Sequence, residues 1–530
     1  MGESPPGGPR KLIRKLPRTI AILFVVSWIA TVWVHTTKQL PEGVRVAASP
    51  VPVAESRLRF VTDLTAADAF SMPVLQQRII DETLRLVAES RDVLVLDYFL
   101  FNPQVGPSGE PIAYGVGGLR PVAAELRDAL LARRRADPAL PILLIVDPIN
   151  AWYGADLPPD LQALRDAGID VVTVNLDPLR DSNALYSAVW RRLFKWWLQP
   201  VPGGGMLPNL LDRGGPPMSL AAVMRVLNFK ANHRKLLITG DGQGSLRGIV
   251  GSANPHDASS AHSNVALYIE GQALAPLLSS EYAIAGLSGW KPGTRFPQPA
   301  ALAAPDAAPR VAPPAASPAS REPTSAAPAA ADALVAIATE SAIRVALLER
   351  LATAGEGTQV ALAMFYLSDR EVIEALVAAA RRGAVVRVLL DPNKDAFGFE
   401  KSGLPNRPVS SELLAASDGA IRIRWYRTHG EQFHAKLASV RDGTKLWFTL
   451  GSANFTRRNL ADFNLEANVL VEANAAGPLG TAISEWFDML WNNRAGNGIE
   501  FTADTEVYAD SSQLRYWLYR VMEASGLSTF

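Results

Sequence analysis

Two short segments of this 530-residue chain carry residue types that can work on a phosphate ester. His233 and Lys235 lie in NHRKLLITGD (232–241), and Gly251-Ser252-Ala253-Asn254 follows. His434 and Lys436 lie in FHAKLASVRD (433–442), and Gly451-Ser452-Ala453-Asn454 follows. His-x-Lys alone is common; the whole pattern in matched order, twice in one chain, is not. Side chains two apart on a strand share a face, so each His projects with its Lys. A phosphodiester carries one negative charge and gathers more in the transition state. Lys235, Lys436, Asn254 and Asn454 supply ammonium and amide groups to stabilise that charge. One imidazole can attack phosphorus and become phosphohistidine, while the other protonates the leaving alcohol. Water or a second alcohol then resolves the intermediate. Imidazole suits both tasks because its ordinary pKa is ~6.5. The scheme calls for no metal and no cofactor. The chain has no cysteine, and no His-Glu-x-x-His spacing suggests a zinc helix.

The paired segments resemble the HKD motif of the phospholipase D superfamily, and the likeness spans both halves, roughly 57–500. The resemblance implies one half-site from His233, Lys235 and Asn254 and another from His434, Lys436 and Asn454. It sets Ser252 and Ser452 at the small-residue position beside the phosphate. Asp241 and Asp442 match the motif aspartates, each displaced by one residue in the same sense, which suggests a shared bulge or turn. The family pattern also has an acid after Gly-Ser-x-Asn that orients a catalytic His. Glu466 supplies it in the second copy (Asn464-Leu465-Glu466), whereas Asn264-Val265-Ala266 in the first copy holds none. The two half-sites are therefore expected to differ. His256 and His262 flank the first Gly-Ser-Ala-Asn and are candidates for head-group contact.

The elements that must position these residues also recur. DVLVLDYFLFN (92–102) matches QVALAMFYLSD (359–369), and PILLIVDPIN (141–150) matches VVRVLLDPNK (385–394). These apolar runs suit buried strands in a covered sheet. Helical patterns cover 75–90, 119–136, 331–353 and 370–382. Each half reads as an α/β unit with a mixed or parallel sheet covered by helices. With the resemblance, this implies two tandem phospholipase D-like α/β domains, 57–295 and 332–500, related by a pseudo-twofold axis. The site would lie between them, so one chain suffices to complete it.

Arg10, Lys11, Arg14, Lys15 and Arg18 form a basic tail (1–18) before the uncharged segment 19–37. Cations behind an apolar run predict an uncleaved transmembrane signal anchor, with the tail cytoplasmic and the catalytic halves outside the cytoplasm. That makes the chain a single-pass protein of the inner or cell membrane. Residues 38–56 and the Pro/Ala-rich stretch 296–331 read as linkers. The C-terminal region 501–530 reads as a helix, centred on 511–524. An insert in the first half, ALYSAVWRRLFKWWL (184–198), mixes tryptophans with cations and suits a membrane interface where cations meet anionic lipid.

The formal net charge is zero, with 52 basic and 52 acidic residues, so there is no overall attraction to nucleic acid. The expected partners are a phospholipid substrate and the membrane, not nucleic acid. The leading reading is a membrane-anchored phosphodiesterase that cleaves or exchanges phospholipid head groups. A cardiolipin-synthase-like phosphatidyltransferase, a metal-independent nuclease of the same superfamily, and a non-catalytic binding protein with a degenerate site are the alternatives.

Overall fold

A computed structural model describes residues 10–67, 73–103, 118–154, 156–209, 211, 215–299, 302, 332–396, 399–494, 496, 498–528 and 530. A short strand β1 (Val51–Ala54) comes first. The first half then contributes β2 (Leu58–Ala67), β3 (Pro73–Gln77), β4 (Arg91–Tyr98), β5 (Ile142–Val146), β6 (Asp170–Thr173), β7 (Lys235–Gly240), β8 (Leu246–Gly251) and β9 (Asn264–Glu270). They form one sheet in the order β3-β2-β9-β8-β7-β4-β5-β6, with β4, β5 and β6 parallel and the other pairs antiparallel.

The second half contributes β10 (Asp332–Thr339), β11 (Gln359–Met364), β12 (Val385–Leu390), a minor ribbon of β13 (Asp395–Ala396) and β14 (Phe399–Glu400), β15 (Arg422–Tyr426), β16 (Lys436–Asp442), β17 (Lys445–Gly451), β18 (Ala467–Asn474) and β19 (Thr502–Asp504). Its sheet runs β1-β10-β18-β17-β16-β11-β12-β15-β19. Strands β11, β12 and β15 are parallel, as β4, β5 and β6 are in the first sheet. The duplication is thus one mixed α/β unit used twice.

Alternation along the strands explains where the core sits. Successive strand residues face opposite sides. Val93 and Val95 of β4, with Leu236 and Ile238 of β7, enter a core that also contains Val335, Ile337, Leu437 and Phe448 of the second half. Leu94, Leu96 and Leu237 point the other way, onto helices Ile79–Glu89 and Val122–Ala136. In the second half, Leu362, Val388 and Ala438 pack on helices Ser341–Thr353 and Arg370–Arg381. The inner faces of the two sheets therefore share one apolar core.

Three boundaries differ from the sequence reading. Residues 38–56 link the first helix to the body, but they are packed: Val44 is fully buried, and β1 pairs antiparallel with β10 of the second half. The chain braids the halves before the first sheet begins. The helix expected over 331–353 starts at Ser341, because DALVAIAT forms β10 against β18. Pairing outweighs the helical preference of its alanines there. The helix expected over 75–90 starts at Ile79, since Pro73–Gln77 pairs with β2. Of the expected 296–331 linker, residues 296–299 and 302 are described, and Phe296 and Leu302 are buried. The rest of that linker lies outside the described residues.

The first helix runs Arg10–Thr37, and its Thr19–Thr37 segment is long and apolar enough to cross a membrane. The basic tail lies partly outside the described residues. At the other end, the C-terminal helix Gln513–Ser525 lies close to the expected 511–524, and β19 pairs with β15 just ahead of it.

Candidate active site

Each His-x-Lys motif begins where a central strand begins. His233 and His434 immediately precede β7 and β16, and Lys235 and Lys436 open those strands. All four side chains are buried. The two segments are pinned in the same way. The Asp147 carboxylate, just past β5, accepts the backbone N–H of Asn232 at 2.7 Å. The Asp391 carboxylate, just past β12, accepts that of Phe433 at 2.7 Å. Burial pushes these carboxyls up, to about 7 for Asp147 and about 6 for Asp391. Lys235 Nζ donates to the carbonyl of His233 at 2.7 Å, and Lys436 Nζ to that of His434 at 3.1 Å. Phe99 packs edge-on against His233, with ring centroids 4.9 Å apart, and Phe365 packs on His434 at 4.9 Å. Each lysine also lies 5.2 Å from the centroid of the same ring.

The halves meet at these residues. His233 N–H donates to Leu465 O at 2.9 Å, and Ser263 N–H donates to Gln432 O at 3.0 Å. The partners of the imidazoles are exchanged accordingly. Glu466, from the second half, accepts from Nδ1 of His233 at 2.8 Å. Asn264, from the first half, accepts from Nδ1 of His434 through Oδ1 at 3.1 Å. The Asn264 amide orientation follows from its network: Nδ2 faces the carbonyls of Ser259 and His262, so Oδ1 faces the imidazole. Both imidazoles thus carry hydrogen on Nδ1 and leave Nε2 bare.

Register identifies Asn264 as the counterpart of Glu466. Gly251 pairs with Ala266, and Gly451 pairs with Asn468. Ser252 accepts from Val265 N–H, and Ser452 accepts from Ala467 N–H, each at 3.0 Å. The vacant acid position is therefore Asn264 and not Ala266. The connection from Gly-Ser-Ala-Asn to the partner residue is two residues shorter in the first copy, which hides the match in a direct alignment.

The electrostatics follow this difference. Burial alone would raise the Glu466 carboxyl, but His233, Lys235 and Ser452 outweigh it and hold it below the usual range. Burial draws His233 down to about 4, with Glu466 opposing the fall. His434 lacks a carboxylate and lies beside Lys436 and His262, so burial and those neighbours carry it well below the ordinary range. Burial lowers Lys235 to about 7, and burial with the charge of Lys235 lowers Lys436 well below its usual value. An arriving phosphate would supply the negative charge that this cationic pocket lacks.

Other predicted residues fall into two groups. Ser252 and Ser452 act as supports: Ser252 donates to Asn264 at 3.0 Å, and Ser452 donates to Glu466. Asn459 also donates to Glu466. Asn254 accepts from Leu100 N–H at 3.2 Å, while Asn454 has a buried amide oxygen without a partner among the described residues. Asp241 and Asp442 correct the sequence reading. Each lies six residues beyond its lysine, about 20 Å along the strand. Asp241 caps the hairpin turn through Gln243 and Ser245 N–H, and Asp442 ends β16 at the exposed hairpin. The shared one-residue shift marks these turns, and neither carboxylate reaches the site. His262 stands beside the site, its ring centroid 5.7 Å from that of His434.

Sequence reasoning missed Asp147, Asp391, Phe99, Phe365, Asn264 and Arg234. The repeated Asp-Pro signal held the first two. Arg234 is fully buried behind His233 and donates to Glu281 at 2.8 Å, Glu340 at 2.7 Å and Val44 O at 3.2 Å. Glu340 in turn accepts from Glu466 N–H at 3.1 Å, so Arg234 ties the halves together behind the His233–Glu466 pair. The second motif has Ala435 in its place.

Residues 347–491 match the family described as Cardiolipin synthase, PLD-like domain. A search of curated proteins finds no match. Among solved structures, phosphatidylserine synthase from Haemophilus influenzae Rd KW20 aligns with a TM-score of 0.51 and 10% identity, over 91% of this chain and 96% of its own. At that identity the likeness concerns the fold. Nuc from Salmonella typhimurium, a phospholipase D family member, aligns with 30% of this chain and 95% of its own at 21% identity, but with a TM-score of 0.24. Residues 347–491 thus match a phospholipase D-like domain family, and the fold of the whole chain is similar to that of the phosphatidylserine synthase.

Proposed function

We propose that this chain is a membrane-anchored phospholipid phosphodiesterase or phosphatidyltransferase that works through a phosphohistidine on His233. The observation that carries the reading is the unequal pair His233–Glu466 and His434–Asn264 between two buried lysines. Glu466 stabilises positive charge on His233, so its bare Nε2 is the stronger nucleophile. Nε2 attacks phosphorus, a P–N bond forms and the P–O bond to the leaving alcohol breaks. His434, with an amide partner, is the more acidic imidazolium once the bound phosphodiester has raised its proton affinity. It gives its Nε2 proton to the departing oxygen. It then takes a proton from the acceptor hydroxyl, whose oxygen bonds to phosphorus as the P–N bond breaks. Lys235, Lys436, Asn254 and Asn454 stabilise charge on the non-bridging oxygens.

Two observations favour a lipid alcohol over water as acceptor. The matched family is described by cardiolipin synthase, and the reacting groups are buried. The segment Thr19–Thr37 holds the enzyme in the bilayer, and the basic residues before it keep the catalytic halves outside the cytoplasm. The test is product analysis with the full chain and vesicles of phosphatidylglycerol, phosphatidylethanolamine and phosphatidylcholine. Cardiolipin that disappears in His434→Ala identifies transfer, and phosphatidic acid identifies hydrolysis. No lipid product from the active-site-intact chain would overturn the reading.

A further inference from the structure

The insert in the first half folds as helix Ala184–Val189 followed by a π-turn, Trp190–Phe194, and it lies against the membrane-competent helix. Trp28 Nε1 donates to Leu185 O at 3.2 Å. Arg192 donates to Thr31 Oγ1 at 2.7 Å and to Ser27 O at 3.1 Å. Lower on the insert's flank, Asp181 N–H donates to His35 O at 2.9 Å, and Arg180 donates to Lys38 O at 2.7 Å. The insert is therefore fastened along the last turns of that helix.

Its polar and apolar groups are sorted in an unexpected way. The cations are engaged by protein groups: Arg191 pairs with buried Asp181 at 2.7 Å, Lys195 pairs with Asp177 at the surface at 2.9 Å, and the exposed Arg192 bonds the first helix. The large apolar groups turn outward. Trp196 is 75% exposed, Trp197 54%, Val201 63% and Met206 92%, with Leu185 and Leu193 beside them. Exposed apolar groups this large in one stretch mark an interaction surface. The first helix exposes its own apolar side chains, among them Ile22 and Trp33. At 1.5 Å per residue the contacts run from His35, about 3 Å down the helix from Thr37, through Thr31 at about 9 Å to Ser27 at about 15 Å. That span covers the ~5–10 Å by which an interfacial element enters a leaflet and reaches somewhat deeper.

We infer that residues 185–206 are a second membrane contact, embedded in the leaflet where the first helix emerges, and that this contact sets the catalytic halves against the bilayer. The contact rests on reading the first helix as a span. Apolar insertion drives it, because the insert's cations are already engaged, so it forms on zwitterionic lipid. This differs from the expectation that those cations meet anionic lipid.

The chain has no cysteine, so single labels can be introduced directly. Nitroxides at Trp196→Cys and Met206→Cys in the full chain, reconstituted in phosphatidylcholine nanodiscs, would be probed for collision with oxygen and with a water-soluble nickel chelate. Ile22→Cys serves as the span control and Val385→Cys, on an exposed strand end, as the aqueous control. Labels at 196 and 206 should match Ile22→Cys, favouring oxygen. Aqueous behaviour at both, with Ile22→Cys still in lipid, overturns the inference alone. Aqueous behaviour at all three overturns the span as well. As a second readout, Trp196→Glu with Trp197→Glu should lower turnover of bilayer phospholipid at least tenfold and leave a short-chain soluble diester unchanged. Equal turnover of bilayer lipid would also overturn the proposal.

Discussion

The two half-sites share a scaffold and differ in one functional group. Asp147 and Asp391 hold equivalent backbone amides, Phe99 and Phe365 flank equivalent imidazoles, and each lysine caps the carbonyl of its own histidine. The oxygen that receives each Nδ1–H then separates them: a carboxylate of Glu466 for His233 and an amide of Asn264 for His434. Because the partners cross between halves, each histidine takes its character from the other half. Duplication built a symmetric cage of two imidazoles and two lysines, and one charge made its two ends unequal. The deep surroundings differ as well, with Arg234 and its buried acids behind His233 and Ala435 behind His434.

The largest effects should come from the histidines themselves. His233→Ala and His434→Ala should each lower turnover of phospholipid by roughly 10³–10⁴-fold. A nitrophenyl phosphodiester separates them, since nitrophenolate leaves without a proton. His434→Ala should give a burst of one nitrophenolate per chain and an acid-labile phosphate on His233, whereas His233→Ala should give neither. The reverse pattern would assign the nucleophile to His434.

Glu466→Gln comes next. It keeps the shape but removes the charge that supports His233, and kcat should fall by ~10²-fold or more. Loss below threefold in steady-state assays would mean that the carboxylate does not set the asymmetry. Arg234→Met tests the deeper difference. It leaves Glu281 and Glu340 buried without their cation, and unfolding should become easier by ~3–5 kcal/mol. Burial raises Glu340 to about 7, against the opposing charge of Arg234. A carboxyl raised on folding contributes stability below its unfolded pKa, and that stability is lost as pH rises through the folded value. Removing Arg234 raises Glu340 further. The variant's deficit in thermal melts should therefore be smaller at pH 5.5 than at pH 8; a deficit independent of pH would refute the assignment.

The smallest effect should come from Asn264→Asp, which makes the half-sites alike. A carboxylate beside His434 should raise its proton affinity and move the alkaline limb of kcat/KM upward by ~1 pH unit, with the maximal rate changed less than tenfold. An unmoved limb would mean that His434 does not act as the acid.

The motif strands, their burial and the doubled α/β pattern were legible because they depend on local alternation and on spacing. His233, Lys235, His434 and Lys436 needed no structure to be found, and Glu466 was recognised by its place after Gly-Ser-Ala-Asn. The repeated Asp-Pro ends were visible as duplication, but the amides they hold lie 85 residues away for Asp147 and 42 for Asp391. Asp241 and Asp442 misled because an order repeated in both halves does not reveal that a strand carries its far end away from the site.

By itself, the sequence determined the chemistry on offer: two imidazoles, two lysines, two amides, and an apolar segment behind a run of cations. Only the tertiary structure decided which groups meet. Strand register paired Ser252 with Asn264 across a connection two residues shorter than its counterpart, and the packing of two sheets on one core brought Glu466 to His233 and Asn264 to His434. The reason is that hydrogen bonds and charge interactions act over a few ångströms of space, whereas the residues that make them here lie 233 and 170 positions apart in the chain.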